Sequence, residues 1–404
     1  MRILVVCQYY FPEPFKITEI CEELVKRGHN VTVLTGLPNY PDGLIPLKYR
    51  FGKLRHETIN GVKVLRCFEI PRKNRPLFLA LNYMSFMISA SFKSLFLKNE
   101  FDVIFIYQLS PVLMAIPAML FKMRSNLPLY LYCCDIWPES MKIYCNNDNN
   151  NFYKFIKRLS KWIYSYCDEI SVSSPAFVHY FMTEHNLDKN RISFLPQHGD
   201  DLYSKMDLSA EENGYVDFMF MGNIGLVQDI ECILEATNIA IKDVPNIRVH
   251  FVGDGTYRET AISLTQMLKL NEVVFFHGRH PLSKMVDFYK IADVCLLTLK
   301  SDNLVGLTIP SKLQGYMSAG KPIIGAINGA AQEIIKISNC GICVNSGDAV
   351  ELAKAMTTYS KNPQKYKNCG NNAKSYFLKH FTKEKYIDRL ERILMNLTGG
   401  DISV

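Results

Sequence analysis

Short apolar runs, each ending in a loop and each followed by a stretch of helical period, recur along the whole chain. Arg2 to Cys7 is the first, and Phe15 to Arg27 then places Ile17, Ile20, Cys21, Leu24 and Val25 at helical spacing. Gly28 closes that helix and Val31 to Leu34 makes the next strand, completing a βαβ unit. Strands that are apolar throughout need cover on both faces, which a parallel sheet flanked by helices supplies. The alternation predicts an α/β, doubly wound architecture.

A chain of 404 residues is too long for one ordinary core. Pro196-Gln197-His198-Gly199-Asp200-Asp201 is its best linker, short and rich in turn formers. The predicted domains are therefore 1–196, rejoined by a terminal helix within 380–404, and 197–379. In the first half, Val103 to Tyr107, Leu127 to Cys134, Glu169 to Ser173 and Ile192 to Leu195 continue the strands. Val112 to Met123 and Phe152 to Cys167 continue the helices. Asn60-Gly61, inside His56 to Phe68, is a type I′ hairpin signal that interrupts the alternation.

In open parallel sheets, ligands collect beyond the carboxyl ends of the strands. The loop after the first strand, Phe11 to Lys16, has no glycine, so a dinucleotide cannot bring its pyrophosphate close to that backbone. The second half is different. Its strands end in Gly222-Asn223-Ile224-Gly225, Gly253-Asp254-Gly255 and Gly278-Arg279-His280, which makes a nucleotide site there the economical reading.

Leu304 to Ile324 then reads as a loop, a short helix and a buried strand. Pro310 suits the first helical turn, Gly320 the C′ position, and Pro322 stops the helix continuing. Backbone N–H groups around Pro310, Ser311, Lys312 and Leu313, with the Lys312 ammonium, form an anion site suited to the diphosphate of a nucleotide-sugar.

Two first-half loops carry candidate acceptor chemistry. Leu37-Pro38-Asn39-Tyr40-Pro41-Asp42-Gly43 offers Asn39 and Tyr40, with Pro38 and Gly43 as turn formers. Asp135-Ile136-Trp137-Pro138-Glu139-Ser140 places two carboxylates beyond a strand end, able to orient sugar hydroxyls or assist proton transfer, with Trp137 read as core. His198 is placed equally well as a cleft residue or as a structural hinge.

Composition narrows the classes further. All of the formal charge of +7 falls within the first 195 residues, while the remainder is near neutral. Such asymmetry points to an anionic partner, a phospholipid surface or pyrophosphate. Nucleic acid is not the expected partner, since the basic residues are not clustered in a recognised reading motif. The 12 cysteines lack framework spacing, and Cys340-Gly-Ile-Cys343 has no second pair. His277 and His280 lack partner ligands, so no metal is expected. No secretory signal is visible. Phe78 to Leu97 and Asp102 to Phe121 approach the length of a membrane span, but Ser110-Pro111 splits the second. The first is read as a helix buried on a sheet or lying at a membrane surface.

Taken in order, five motifs resemble the retaining, nucleotide-sugar-dependent glycosyltransferases of family 4, which have the GT-B fold. They are Gln8 to Pro14, Gly36 to Gly43, Asp135 to Ser140, Gly222 to Gly225 and Pro310 to Leu313. Similarity is greatest to the branch that builds bacterial O-antigens, capsules and colanic acid, including L-fucosamine-type amino-deoxyhexose transferases. The resemblance implies two Rossmann-like domains, a nucleotide-sugar donor bound mainly by the second and a polyprenyl-linked saccharide acceptor bound by the first. It also implies that a last helix around Lys383 to Leu397 crosses back to the first domain. It further implies a cytoplasmic enzyme, peripheral on the inner face of the membrane, with UDP as the expected carrier and no cofactor.

The family's paired glutamates align with Leu307 and Gly315, and its basic pair with the segment Leu226, Val227 and Gln228. Phe15 and Lys16 replace an early glycine pair and join Asn39, Tyr40 and Glu139 on the acceptor side. Phosphate charge then falls to Lys312, Arg279, Lys16 and helix starts. Asp135 is the candidate for orienting the attacking hydroxyl. A non-hydrolysing UDP-sugar epimerase and a non-catalytic homologue stand as alternative readings.

Overall fold

The computed structural model describes residues 1–73, 75–140, 151–301 and 308–399. Leu304, Leu307 and most of the asparagine-rich run around Asn146 lie outside these residues. The chain divides into two compact units, Met1–Leu195 with Ile387–Val404, and Pro196–Tyr386.

The first unit runs β1 (Arg2–Val6), α1 (Ile17–Lys26), β2 (Asn30–Thr35), β3 (His56–Ile59), β4 (Val62–Arg66), α2 (Pro76–Leu95) and β5 (Val103–Gln108). It continues through α3 (Ile116–Ser125), β6 (Leu129–Cys133), α4 (Asn151–Tyr166), β7 (Glu169–Val172), α5 (Pro175–Glu184) and β8 (Ile192–Phe194). Its eight strands lie in the order β3-β4-β2-β1-β5-β6-β7-β8. Only β3 runs antiparallel, paired to β4 through Asn60 and Gly61, both of positive φ as a type I′ turn requires. Every residue of β5 and β6 is buried, as expected of central strands covered on both faces. Helix α1 begins two residues later than its periodicity suggested, leaving Phe15 and Lys16 in the loop.

The second unit runs β9 (Val216–Met221), α6 (Ile230–Ala240), β10 (Ile247–Val252), α7 (Arg258–Met267), β11 (Val274–Gly278), α8 (Met285–Ile291) and β12 (Val294–Thr298). After it come α9 (Ser311–Ser318), β13 (Ile323–Ala326), α10 (Gly329–Ser338), β14 (Gly341–Val344), α11 (Ala349–Lys361), α12 (Cys369–His380) and α13 (Lys383–Leu397). Its six parallel strands lie in the order β11-β10-β9-β12-β13-β14. Successive residues of β9 alternate between two cores. Phe218 and Phe220 pack in one, with Leu352 and Met356 of α11, while Met219 and Met221 pack in the other, with Leu313 and Met317 of α9. Each fully buried side chain of this size contributes about 1.5–3 kcal/mol.

Helix α13 starts in the second unit and ends in the first. Its first turn is held by the Asp201 carboxylate, which accepts the Lys383 N–H at 3.2 Å, and by His198 packed edge-on against Tyr386. From Ile387 onward it belongs to the first unit, where Arg27 donates to Asp388 at 2.7 Å and to Glu391 at 2.9 Å. The switch falls within the helix, seven residues beyond the start of the segment assigned from the sequence.

Candidate functional site

The second unit gathers its glycine-ended strands around the start of α9. Gly222 and Gly253 follow β9 and β10 with φ of +129° and +148°, a region that side chains rarely enter. The Gly222 N–H donates to the Val252 carbonyl at 2.8 Å, and the Gly253 N–H to Gly278 at 2.8 Å. A Cβ on Gly253 would stand 1.9 Å from the Gly222 carbonyl oxygen, so the two strand ends come this close only because Gly253 lacks a side chain. Gly278, at the end of β11, also has positive φ, and beside it Arg279 is exposed.

Pro310 is not in the first helical turn, as its sequence position suggested. It is the N-cap, with extended φ/ψ of −70° and 138°, and Ser311 is the first helical residue. Its carbonyl accepts the Leu313 N–H at 2.9 Å, so that donor is used within the turn. The helix ends as expected. Gly320 has a φ of +67°, and the Gly320 and Lys321 N–H groups return to the Met317 and Tyr316 carbonyls, a Schellman closure. The Tyr316 hydroxyl accepts the Met221 N–H at 2.9 Å and so ties α9 to the end of β9.

Lys312 leans across that strand end. Its ammonium lies 3.6 Å from the centroid of the Phe220 ring and donates to the Asn223 carbonyl at 3.3 Å. A Cβ on Gly222 would stand 2.5 Å from Lys312 Cε. Among the described residues no carboxylate pairs with this ammonium, and desolvation lowers it to about 7.

Asn223 and Gly225 belong to a closed loop. Gln228 Oε1 accepts from the Gly225 N–H and from Asn223 Nδ2, both at 3.1 Å, and Thr298 anchors the loop through the Gln228 carbonyl. Gln228, where the family's basic residues would fall, thus holds the backbone of the loop. Gly315 faces the Tyr289 hydroxyl, which a Cβ there would approach to 3.1 Å.

The first unit holds the acceptor-side candidates. Tyr40 packs against Tyr9 and Phe15, whose rings stack at 5.1 Å, and the Arg72 guanidinium covers Tyr40 at 5.0 Å. Tyr40 is 37% exposed, whereas Lys16 is half-buried and pairs with Glu19 at 2.9 Å.

Asn39 is only 2% exposed and sits in a buried polar network, not on an open surface. Its Nδ2 donates to Glu69 at 2.7 Å and to the Leu37 carbonyl at 2.8 Å, and its Oδ1 accepts the Arg72 N–H. Gln8 and Asn82 also donate to Glu69. Burial pushes Glu69 up to about 8, offset in part by these donors. Glu13 accepts the Asn39, Tyr40 and Tyr10 N–H groups, and burial pushes it up to about 7. Glu69 and Asn82 escaped sequence reasoning, and Gln8 and Glu13 entered it only as parts of the Gln8 to Pro14 motif, without a site role. The available signal was Gly36, where a Cβ would stand 1.8 Å from Glu69 Oε2.

Asp135 lies beyond β6, with one carboxyl oxygen hydrogen-bonded by Ser110 and the other by Ser140. Burial raises its pKa, against these hydroxyl bonds. Trp137 is half-buried and donates its indole N–H to Ser110 at 2.8 Å, so it braces Asp135's partner and is not a core residue. Glu139 is 8% exposed and accepts from Tyr153 at 2.8 Å and Tyr180 at 3.0 Å, an interior arrangement. His198 is also buried, its Nδ1 2.9 Å from the Gly199 carbonyl.

Two parallel-sheet units, the second with interlocked glycine strand ends under a lysine-bearing helix start, define a protein of the GT-B fold. The "Glycosyltransferase Family 4" model matches residues 17–197 and the "Glycosyl transferases group 1" model matches 206–376. The chain belongs to this group 1/family 4 glycosyltransferase family. It is 24% identical over 304 residues to "Probable glycosyltransferase WbjE" of Pseudomonas aeruginosa, covering 71% of this chain and 74% of that one. It is 25% identical over 345 residues to WcaI of Escherichia coli K12, a glycosyl transferase named for colanic acid biosynthesis, covering 79% and 82%. Among solved structures, Anabaena HepE in complex with UDP superposes with a TM-score of 0.71 at 15% identity, over 98% of this chain and all of that one.

Proposed function

We propose that the chain transfers a sugar from a nucleoside diphosphate donor, with UDP as carrier, to a polyprenyl-pyrophosphate-linked saccharide, retaining the anomeric configuration. The sugar fits the class of N-acetylated amino or deoxy-amino hexoses, and the product a bacterial O-antigen or capsule. A relative named for colanic acid biosynthesis and a neighbour solved with UDP support this reading. The single observation that carries it is Lys312, a desolvated ammonium that among the described residues has no carboxylate partner and lies across the glycine-bearing end of β9 at the start of α9.

In the reaction the bond from the anomeric carbon to the diphosphate oxygen breaks, a bond to an acceptor hydroxyl oxygen forms, and the hydroxyl proton passes to the departing diphosphate. Negative charge grows on the leaving diphosphate. Lys312, Arg279 and the first N–H groups of α9, Ser311 among them, stabilise that charge. Gly222, Gly253, Gly278 and the loop of Asn223 and Gly225 let the nucleotide approach the backbone. Asp135, with Tyr40, Phe15 and Lys16 on the acceptor side, orients the attacking hydroxyl. No metal is invoked. Among the described residues no helix is long and apolar enough to cross a membrane, and we place the protein peripherally on the cytoplasmic face.

A thermal-shift panel of UDP-, GDP- and TDP-sugars, followed by turnover with a polyprenyl-linked acceptor, tests the reading. A donor at 100 times its Kd should stabilise the fold by about 2.7 kcal/mol. Interconversion of donor sugars without acceptor would identify an epimerase instead. Donor binding without turnover across the panel would identify a non-catalytic homologue.

A further inference from the structure

Helix α2 is inside out for a helix on a water-soluble protein. The residues it turns inward are Asn82, Phe86, Ala90 and Ser94, mostly small or polar. Those it turns outward include Leu77, Leu81, Met84, Ile88 and Phe92, spaced at three and four residues and so forming one stripe. Leu77 is 68% exposed, Ile88 60% and Phe92 66%. The helix cannot roll to bury this stripe, because Asn82 is fixed inward by bonds to Glu69 and to the Ile70 carbonyl at 2.7 Å.

The surroundings of the stripe are basic. Helices α2, α3 and α4 contain no acidic residue, and α4 alone carries Lys154, Lys157, Arg158 and Lys161. Lys154, Arg158 and Lys161 are exposed on α4 beside the exposed aromatic rings of Phe155 and Trp162. Helix α3 packs against both α2 and α4, so the three form one layer. Lys73 and Arg75 are exposed just before α2. An apolar stripe framed by cations, with apolar aromatic rings among those cations, matches an anionic bilayer, whose headgroups meet the charges while its acyl boundary takes the stripe. A second copy of the chain would bring the same positive charges together.

Resting on the membrane placement proposed above but not on the donor chemistry, we propose that the outer face of α2, with α3 and α4 beside it, docks on an anionic lipid bilayer. Helix α2 lies in the plane of the interface and buries Leu77, Ile88 and Phe92 at the acyl boundary.

Co-sedimentation of the full chain with phosphatidylcholine vesicles, with and without phosphatidylglycerol, tests this without any nucleotide-sugar. Binding is expected to the phosphatidylglycerol vesicles and to weaken at high salt. The variant Leu77→Ser/Ile88→Ser/Phe92→Ser should unfold at the wild-type temperature or above and lose binding at least about ten-fold. Lys154→Glu/Arg158→Glu/Lys161→Glu, which leaves the stripe intact, should lose at least about five-fold per reversed charge. Absence of wild-type binding, or wild-type binding by both variants, overturns the proposal. So does a lipid-free dimer that the serine variant dissociates, which would make the occupant a second copy.

Discussion

A Cβ on Gly222 would stand 2.5 Å from Cε of Lys312, ninety residues further along the chain. The bare backbone at the end of β9 is what lets the lysine lie across it, on the Phe220 ring and against the Asn223 carbonyl. Gly222→Ala should therefore displace Lys312 and also strain a φ of +129°, costing about 1–3 kcal/mol of stability. The loss of donor affinity caused by Gly222→Ala should shrink when Lys312 is already alanine. A double-mutant cycle on donor binding measures this coupling, and additive losses would contradict it.

Lys312→Ala should weaken donor binding by roughly ten-fold to a hundred-fold, as loss of a charge-assisted hydrogen bond does. Titration with the donor found in the thermal-shift panel gives the number. Wild-type affinity in this variant would remove the diphosphate from the start of α9.

The same lysine sets a pH dependence. Desolvation lowers its ammonium to about 7 in the free protein, and a bound diphosphate favours the charged form. Donor binding should accordingly take up a proton above pH 7, and affinity should fall as pH rises from there, by at most ten-fold per unit. Calorimetric titrations in buffers of different ionisation heat detect the proton uptake, and Lys312→Ala should abolish it.

Glu69 predicts the stability of the first unit. Its folded pKa, about 8, lies above the ordinary 4.5, so the folded state holds a proton that the unfolded chain releases. The stability it confers is complete below pH 4.5 and is lost as pH rises through about 8. Glu69→Gln should flatten the decline between those limits, leaving the part due to Glu13, whose pKa is about 7. Urea denaturation from pH 5 to 9 measures both slopes, and a variant that declines like wild type would show that Glu69 is ionised in the fold.

Asp135→Asn keeps the size of the side chain and an oxygen for the Ser110 or Ser140 hydroxyl. If Asp135 orients the attacking hydroxyl, turnover should fall at least about a hundred-fold while donor affinity and thermal stability hold. A fall in stability with unchanged turnover would make Asp135 a structural anchor of its loop.

Much of the architecture was legible in the chain because its signals are local. Apolar runs of strand length, helical spacing, Asn60-Gly61, the closure at Gly320 and the glycines that end β9, β10 and β11 each depend on residues a few positions apart. Pro310 went one position astray because N-cap and first-turn residues share one φ.

Side-chain partners across the fold could not be read that way. Asn39 looked like a loop residue facing ligand, yet Glu69 and Asn82, distant in sequence, draw it inside. The apolar run around α2 was visible, but not which side of the helix faces outward, because Asn82 fixes that through Glu69. The sequence by itself determined the order of elements, the unit rich in glycine strand ends and Lys312 as a cation beside them. Tertiary structure alone decided that Lys312 lies across Gly222, on the Phe220 ring and against the Asn223 carbonyl, and that α2 turns its apolar stripe outward. Both depend on contacts between residues far apart in the chain, which local patterns do not encode.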